Sequence, residues 1–560
     1  MSGLSIACGP TDTPLLEITI GDALRDAANR WGDRLALVSR HQAIRWTWAA
    51  FDAEVDRIAS GLLARDVKAG DRVGIWAPNC AEWAVIQFAT ARIGAILVNI
   101  NPAYRISEVE YALNKVGCSV LVTAARFKSS DYLAMLRELG PTKLPDLRLI
   151  VTLGDEPHDG FMPWADLGVT TNQKALAVAA AGLDADDAIN IQFTSGTTGL
   201  PKGATLTHRN ILNNGYFTAR TLRLTPDDRI AVPVPLYHCF GMVLANLAAV
   251  TSGAALIYPG ESFDSGEVLK AVAAERCTTL YGVPTMFINI LNHPDRATTD
   301  TTSLRTGILA GAPCPLPTMR EVMERLNMRE VTIGYGMTET SPLTTQTATD
   351  DPIEERVGSV GRVHPHAQAK IVGPDGASLP YGQQGEYCSR GYAVMRGYWN
   401  DPERTAEAID ADGWMHSGDL ATMDARGYVR ITGRIKDMII RGGENIYPRE
   451  IEEFLLGHVA IADAQVFGVT DAIYGEAVCA WIIPRPGVPL TPEDVVAYCT
   501  GQIAHYKLPR HIRIVDGFAM TVTGKAQKFA MRRIMEAELQ TTADVASATP
   551  APSVSQGSGG

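Results

Sequence analysis

Residues 71–77 read DRVGIWA, residues 81–94 read AEWAVIQFATARIG, and residues 95–100 read AILVNI. A short β-rich run, an apolar segment at helical spacing and a second β-rich run make, in that order, a βαβ unit. The rhythm returns as far as about Ala312 in RIAVPV, AALIYPG, CTTLYGV and TGILAGAP, and again in VTIGYG, beside helical segments such as GEVLKAVAAER and PTMREVMERLNM. Repeated βαβ units imply largely parallel sheets, whose strand ends are where ligands gather. The longest apolar stretch, Trp83 to Ile100, is interrupted by Gln87, Arg92 and Gly94, which suits a buried helix running into a strand better than a bilayer span. From Gly358 to Ile431 the texture changes to hairpin-like strands such as AKIVGPDGASLPYGQQGEYCSRG, a β-rich subdomain. After Gly433 the charged turn RIKD opens a smaller α+β unit ending near Leu539, and the final TTADVASATPAPSVSQGSGG is low in complexity.

At 560 residues, 46% hydrophobic and 20% charged, the chain can bury more than one core and belongs with ordinary globular proteins, neither disordered nor fibrous. Fifty basic against 62 acidic side chains give a net charge of −12, a field that repels phosphate backbones and makes nucleic acid an unsuitable partner. Any anionic ligand must therefore be held by local groups. Nine cysteines, an odd number with no C-x-x-C pair, point to a reducing compartment, and the first residues show no secretory or transit pattern. The cytoplasm is the expected location. No His or Cys grouping has metal-ligand spacing along the chain, so no zinc is assigned.

The stretch from Thr194 through Ser195, Gly196, Thr197, Thr198, Gly199, Leu200, Pro201 and Lys202 to Gly203 directly follows the strand-like INIQF. Its glycines permit a tight backbone, N–H and hydroxyl groups can donate to phosphate oxygens, and Lys202 supplies a point charge. It is not a Walker A loop, because Pro201 precedes the lysine and Gly203 stands where a magnesium-binding hydroxyl is needed.

Together with Tyr335-Gly336-Met337-Thr338-Glu339, Ser417-Gly418-Asp419, Gly433-Arg434-Ile435-Lys436-Asp437, Gly442-Gly443-Glu444-Asn445-Ile446-Tyr447-Pro448 and Gly524-Lys525, this segment resembles the adenylate-forming superfamily of acyl-CoA synthetases, luciferases and peptide-synthetase adenylation domains. PLYHCFG, LYGVPTMFINILN and DMIIRGGENIYPREIE are most similar to medium-chain fatty acyl-CoA synthetases. The resemblance implies an α/β fold: a large N-terminal domain at 1–433, built of two βαβ-type layered sheets plus the β-rich subdomain, a hinge at 434–437, a small mobile α+β C-terminal domain at 438–540, and a disordered tail at 541–560. It implies an ATP-dependent acid–CoA ligase that forms an acyl-adenylate and then a thioester from a medium-chain or branched acid, with a carrier-protein thiol as the alternative acceptor. The expected partners are ATP, CoA and a carboxylic acid, with a homodimer left open.

The residues carry over one by one. Tyr335, Gly336 and the bare backbone of Gly311-Ala312-Pro313 would receive adenine, and Thr338 the α-phosphate, while Glu339 would hold Mg²⁺, a hard cation that prefers oxygen. Asp419 would accept the ribose hydroxyls with Arg434 assisting, and Lys436 would act as the hinge. Arg441, Gly442 and Gly443 would admit the pantetheine arm of CoA. Lys525, on the small domain, would stabilise the charge that develops during adenylation. His238 would line the acyl carboxylate and is a catalytic candidate. Relatives restricted to acetate carry a Trp at the position of Gly336, so an open acyl pocket is expected, flanked by Phe240, Val283 and Met286.

Overall fold

Helices in an interior layer can be enclosed on every side, and the helix Ala81–Ile93 is of this kind, buried at every position but Glu82, with Gly94 in the left-handed conformation closing its C-terminus. Its flanking strands Arg72–Trp76 and Ile96–Asn99 are parallel neighbours, so residues 71–100 form one βαβ unit. The computed structural model describes the chain except residues 1–2, 155, 169, 195–200, 443, 472, 522–524 and 549–560. The chain divides into two units: Met1–Ser417 with Ala421–Ile431, and Gly418–Leu420 with Thr432–Gly560.

The first unit is α/β, as expected. Its eight-stranded sheet runs Met162–Pro163, Leu149–Thr152, Val120–Thr123, Arg72–Trp76, Ile96–Asn99, Ala188–Thr194, Lys202–Thr207 and Gly397–Tyr398, parallel up to the last two strands. A nine-stranded sheet carries Ala255–Tyr258, Arg229–Ala231, Thr279–Gly282, Thr306–Ala310 and Glu330–Gly336 as parallel neighbours. The expected β-rich region is a five-stranded sheet, in the order Ile6–Cys8, Ala367–Val372, Gly385–Gly391, Met415–Met423 and Val429–Arg434.

Arg92, which breaks the apolar stretch, is nearly inaccessible. Its guanidinium reaches Asp52 at 2.6 Å and Asp56 at 3.0 Å, and Arg25 reaches the same two carboxylates at 2.5 and 2.8 Å. Two cations and two anions are neutral as a set, and removing one partner strands a buried charge. Arg92→Leu is expected to lower stability by about 3–5 kcal/mol, read as a drop in the denaturant midpoint at unchanged slope. A loss below about 1 kcal/mol, the worth of an exposed pair, would refute this account.

The second unit has the sheet order Glu444–Ile446, Ile439–Arg441, Gly475–Pro484, Ile461–Asp471, with His511–Ile514 beside Gly475–Pro484. Ile439, Ile451, Leu455, Val466 and Ile482 are buried in its core. The last helix, Lys528–Ala548, crosses the boundary expected at residue 540. Three alanines within 541–548 favour helix in a stretch whose composition reads as low-complexity. Residues 549–560 of the expected tail lie outside the described residues. Among the described residues no helix is long and apolar enough to cross a membrane.

Candidate functional site

The strand Ala188–Thr194 turns back into the antiparallel strand Lys202–Thr207, with Thr194 opposite Lys202. A Walker A loop leads from a strand into a helix, whereas this loop joins two paired strands, so the departure read in the sequence is also one of architecture. Ser195, Gly196, Thr197, Thr198, Gly199 and Leu200 lie outside the described residues. Pro201 accepts a hydrogen bond from the Tyr111 hydroxyl through its carbonyl, at 3.1 Å.

Glu339, on the single turn Thr338–Thr340 after the strand Glu330–Gly336, is buried. Its Oε1 accepts from the Tyr398 hydroxyl at 2.9 Å and from Thr194 Oγ1 at 3.3 Å. The same Tyr398 oxygen accepts from Lys202 Nζ at 3.0 Å, and Nζ lies 4.1 Å from the centre of the Tyr398 ring. Burial, reinforced by the Glu339 charge, pushes the phenol far above its ordinary pKa, so it stays a donor to the carboxylate. One buried phenol thus couples the lysine to the acid. Among the described residues both hydrogen bonds to the carboxylate end on Oε1, and a carboxylate oxygen is the kind of donor that fits Mg²⁺.

His238 caps the short helix Cys239–Gly241, its Nδ1 accepting the Phe240 N–H at 3.2 Å. With Nδ1 so engaged, a neutral ring carries its proton on Nε2. Next to it, the buried Cys239 thiol donates to Gln192 Oε1 at 3.1 Å. Burial, with the Glu339 charge adding to it, pushes this thiol up to about 12. Phe240, Val283 and Met286 are buried in one cluster. Gly336 is explained by packing: a Cβ there would lie 1.8 Å from the Pro342 carbonyl oxygen. Its bare backbone answers to that approach.

Tyr335 meets Tyr387 edge-on at 5.4 Å, which orients its ring. Gly311 takes a left-handed φ of +86° directly after the strand Thr306–Ala310, with Ala312 half-buried and Pro313 exposed.

Asp419 and Arg434, both in the second unit, are paired through Nε and Oδ1 at 2.9 Å, with the carboxylate buried and the arginine largely exposed. Lys436 is exposed on the turn Ile435–Asp437. Arg441 donates to the Tyr506 carbonyl at 2.7 Å and stands 5.1 Å over the Tyr474 ring. Gly442 has a φ of +59°, and its N–H donates to the Tyr474 carbonyl. Gly443 and Gly524 lie outside the described residues. The Lys525 N–H donates to Thr521 Oγ1 at 2.9 Å and its carbonyl accepts the Thr521 N–H at 2.7 Å.

The structure therefore brings Thr194, Lys202 and Glu339 together, pairs Asp419 with Arg434, and presents Arg441 with Gly442 and Lys525 as separate groups of the second unit. Tyr398 and Gln192 escaped the sequence reading. For Gln192 a signal existed, since polar residues within a buried strand such as INIQFT need a reason. For Tyr398 none did.

The family model described as AMP-binding enzyme matches residues 24–399, and the one described as AMP-binding enzyme C-terminal domain matches 450–525. YngI of Bacillus subtilis (strain 168), an acyl-CoA synthetase by its name, is 46% identical over 534 residues, 92% of this chain and 97% of that one. The mitochondrial medium-chain acyl-CoA ligase ACSF2 of Mus musculus is 43% identical over 561 residues, covering 96% and 91%. Among solved structures, the anthranilate CoA ligase AuaEII in complex with anthranoyl-AMP superposes with a TM-score of 0.82 at 26% identity, covering 96% of this chain and 99% of the other.

Proposed function

The chain belongs to the AMP-binding enzyme family, whose model spans residues 24–399, and from that premise we propose that it is an AMP-forming acid–CoA ligase for a medium-chain or branched carboxylic acid. A carboxylate oxygen attacks the α-phosphorus of ATP, and the bond to pyrophosphate breaks. The CoA thiolate then adds to the acyl carbonyl, and the bond to AMP breaks, leaving the thioester. Activation is required because a thiol cannot displace an oxide from a free carboxylate, whereas AMP leaves readily.

The observation that carries this reading is the arrangement of Lys202, Tyr398, Glu339 and Thr194 within hydrogen-bonding distance of one another. A cation aimed at phosphate and a carboxylate suited to Mg²⁺ are set in register by one phenol. Mg²⁺ bound with ATP would be held by Glu339 and phosphate oxygens, and would lower the charge against which the substrate carboxylate must approach. Lys202 and Thr338 bind phosphate oxygens, the Tyr335 ring stacks on adenine, and Asp419, steadied by Arg434, accepts from the ribose hydroxyls. His238 donates to the acyl carboxylate. Lys525 serves adenylation, and Arg441, Gly442 and Gly443 serve thioester formation. The names of the two curated relatives support CoA as the acceptor over a carrier-protein thiol. We place the protein in the cytoplasm on its nine free cysteines.

Tyr398→Phe keeps the ring under Lys202 and removes the hydroxyl. It is expected to cost roughly 10-fold in adenylation, the worth of a hydrogen bond to a charged group, mainly as a raised KM for Mg²⁺-ATP. An unchanged KM would deny Tyr398 this part.

Product analysis with ATP and Mg²⁺ on straight, branched, hydroxylated and aryl acids, with and without CoA, tests the function. AMP, pyrophosphate and an acyl-CoA on aliphatic acids are expected. ADP with any acid would overturn the reading, and adenylate that never reaches CoA would move the acceptor to a carrier protein.

A further inference from the structure

Glu386 and Cys388 are two residues apart on the strand Gly385–Gly391, so they share one face, and His416 stands on the adjacent strand Met415–Met423. His416 Nδ1 lies 2.9 Å from Glu386 Oε2 and 3.4 Å from Cys388 Sγ. The three ligand atoms all fall within 4.8 Å of one another, with Cys388 buried and the other two half-buried. On the far side of the ring, His416 Nε2 is 3.6 Å from Asp410 Oδ2.

One imidazole nitrogen, Nδ1, faces both Glu386 and Cys388, and a cation between the three could be shared by all of them. Tetrahedral bonds of about 2.3 Å to sulfur and 2.0 Å to nitrogen put the two ligand atoms roughly 3.5 Å apart, close to the observed 3.4 Å. The Glu386 pair, now at hydrogen-bond distance, has only a few tenths of an ångström to open. Sulfur, imidazole and carboxylate form a borderline-soft set, which suits zinc and excludes magnesium and calcium. A carboxylate behind the second imidazole nitrogen, as Asp410 is, commonly orients a ligating histidine.

Two positive charges oppose a cation here. Lys370 is the cross-strand partner of Cys388, with its ammonium 4.4 Å from the Trp414 ring, and the Arg390 guanidinium stands 4.6 Å from the same ring. Against them stand Glu386, Asp410 and, once metal is bound, the Cys388 thiolate.

We propose that Glu386, Cys388 and His416 bind one divalent cation of the zinc class, with Asp410 holding the imidazole, and that the ion ties the strand Gly385–Gly391 to Met415–Met423. Neither strand shows a metal-binding spacing by itself, because the ligands come from positions 28 and 30 residues apart in sequence.

The test is a Co²⁺ titration of full-length, chelator-stripped protein in buffer containing Mg²⁺, with Co²⁺ as the spectroscopic stand-in for Zn²⁺. About one Co²⁺ per chain is expected, with a sulfur-to-cobalt charge-transfer band in the near ultraviolet that Zn²⁺ abolishes by displacement. Cys388→Ser should remove the band, and Glu386→Gln and Asp410→Asn should each weaken binding roughly 10-fold. Zn²⁺ should raise the thermal midpoint of the wild type and not that of His416→Ala. Circular dichroism of the metal-free variants shows whether they fold, and half-buried Glu386→Gln carries the test if Cys388→Ser does not. Absence of the band in the wild type, its persistence in both Cys388→Ser and His416→Ala, or unweakened binding in Glu386→Gln would overturn the site.

Discussion

Lys525→Ala is expected to slow pyrophosphate release by about 10²–10³-fold, the usual worth of one charge aimed at a developing oxyanion. Thioester formation from supplied acyl-adenylate should change little, because the group removed acts on the first transition state only. The substitution is clean in structural terms. The backbone N–H and carbonyl of Lys525 both bond Thr521, and alanine keeps both. Separate assays of pyrophosphate release and of adenylate consumption by CoA check the division. Equal loss in both steps would mean that Lys525 shapes the small unit instead of serving adenylation.

Glu339→Gln is expected to lower kcat/KM for ATP by roughly 10²-fold, about 2.7 kcal/mol of transition-state stabilisation, and to raise the Mg²⁺ concentration needed for half-maximal rate. Glutamine retains the shape of the side chain and an amide oxygen to accept from Tyr398 and Thr194, so the buried network persists while the charge is lost. The effect should therefore exceed that of Tyr398→Phe, which removes one bond and keeps the carboxylate. Unchanged Mg²⁺ dependence at reduced rate would transfer metal binding to another group.

The two predictions differ in where their grounds came from. Lys525 is legible because its motif is contiguous, Thr521-Val522-Thr523-Gly524-Lys525. Glu339 is legible in YGMTE, but its setting is not. The phenol that accepts from Lys202 and donates to Glu339 lies 196 residues from one and 59 from the other. The strand Gly397–Tyr398 reaches them only because it pairs with Lys202–Thr207 at the edge of the eight-stranded sheet. Arg92 shows the same limit, since the sequence marks it as an interruption and only the packing of three helices shows a neutral four-charge cluster. Gly336 is a further instance. Its identity invites a comparison of pocket size, whereas its surroundings show a carbonyl oxygen where a side chain would begin.

By itself the sequence determined the βαβ layering, the β-rich region, the small α+β unit and the family, because periodicity and contiguous motifs are local properties of the chain. Tertiary structure alone decided which lysine, phenol and acid form one site, and that Glu386, Cys388 and His416 share a face. Those groupings depend on strand order and register, which bring together residues that no spacing along the chain relates.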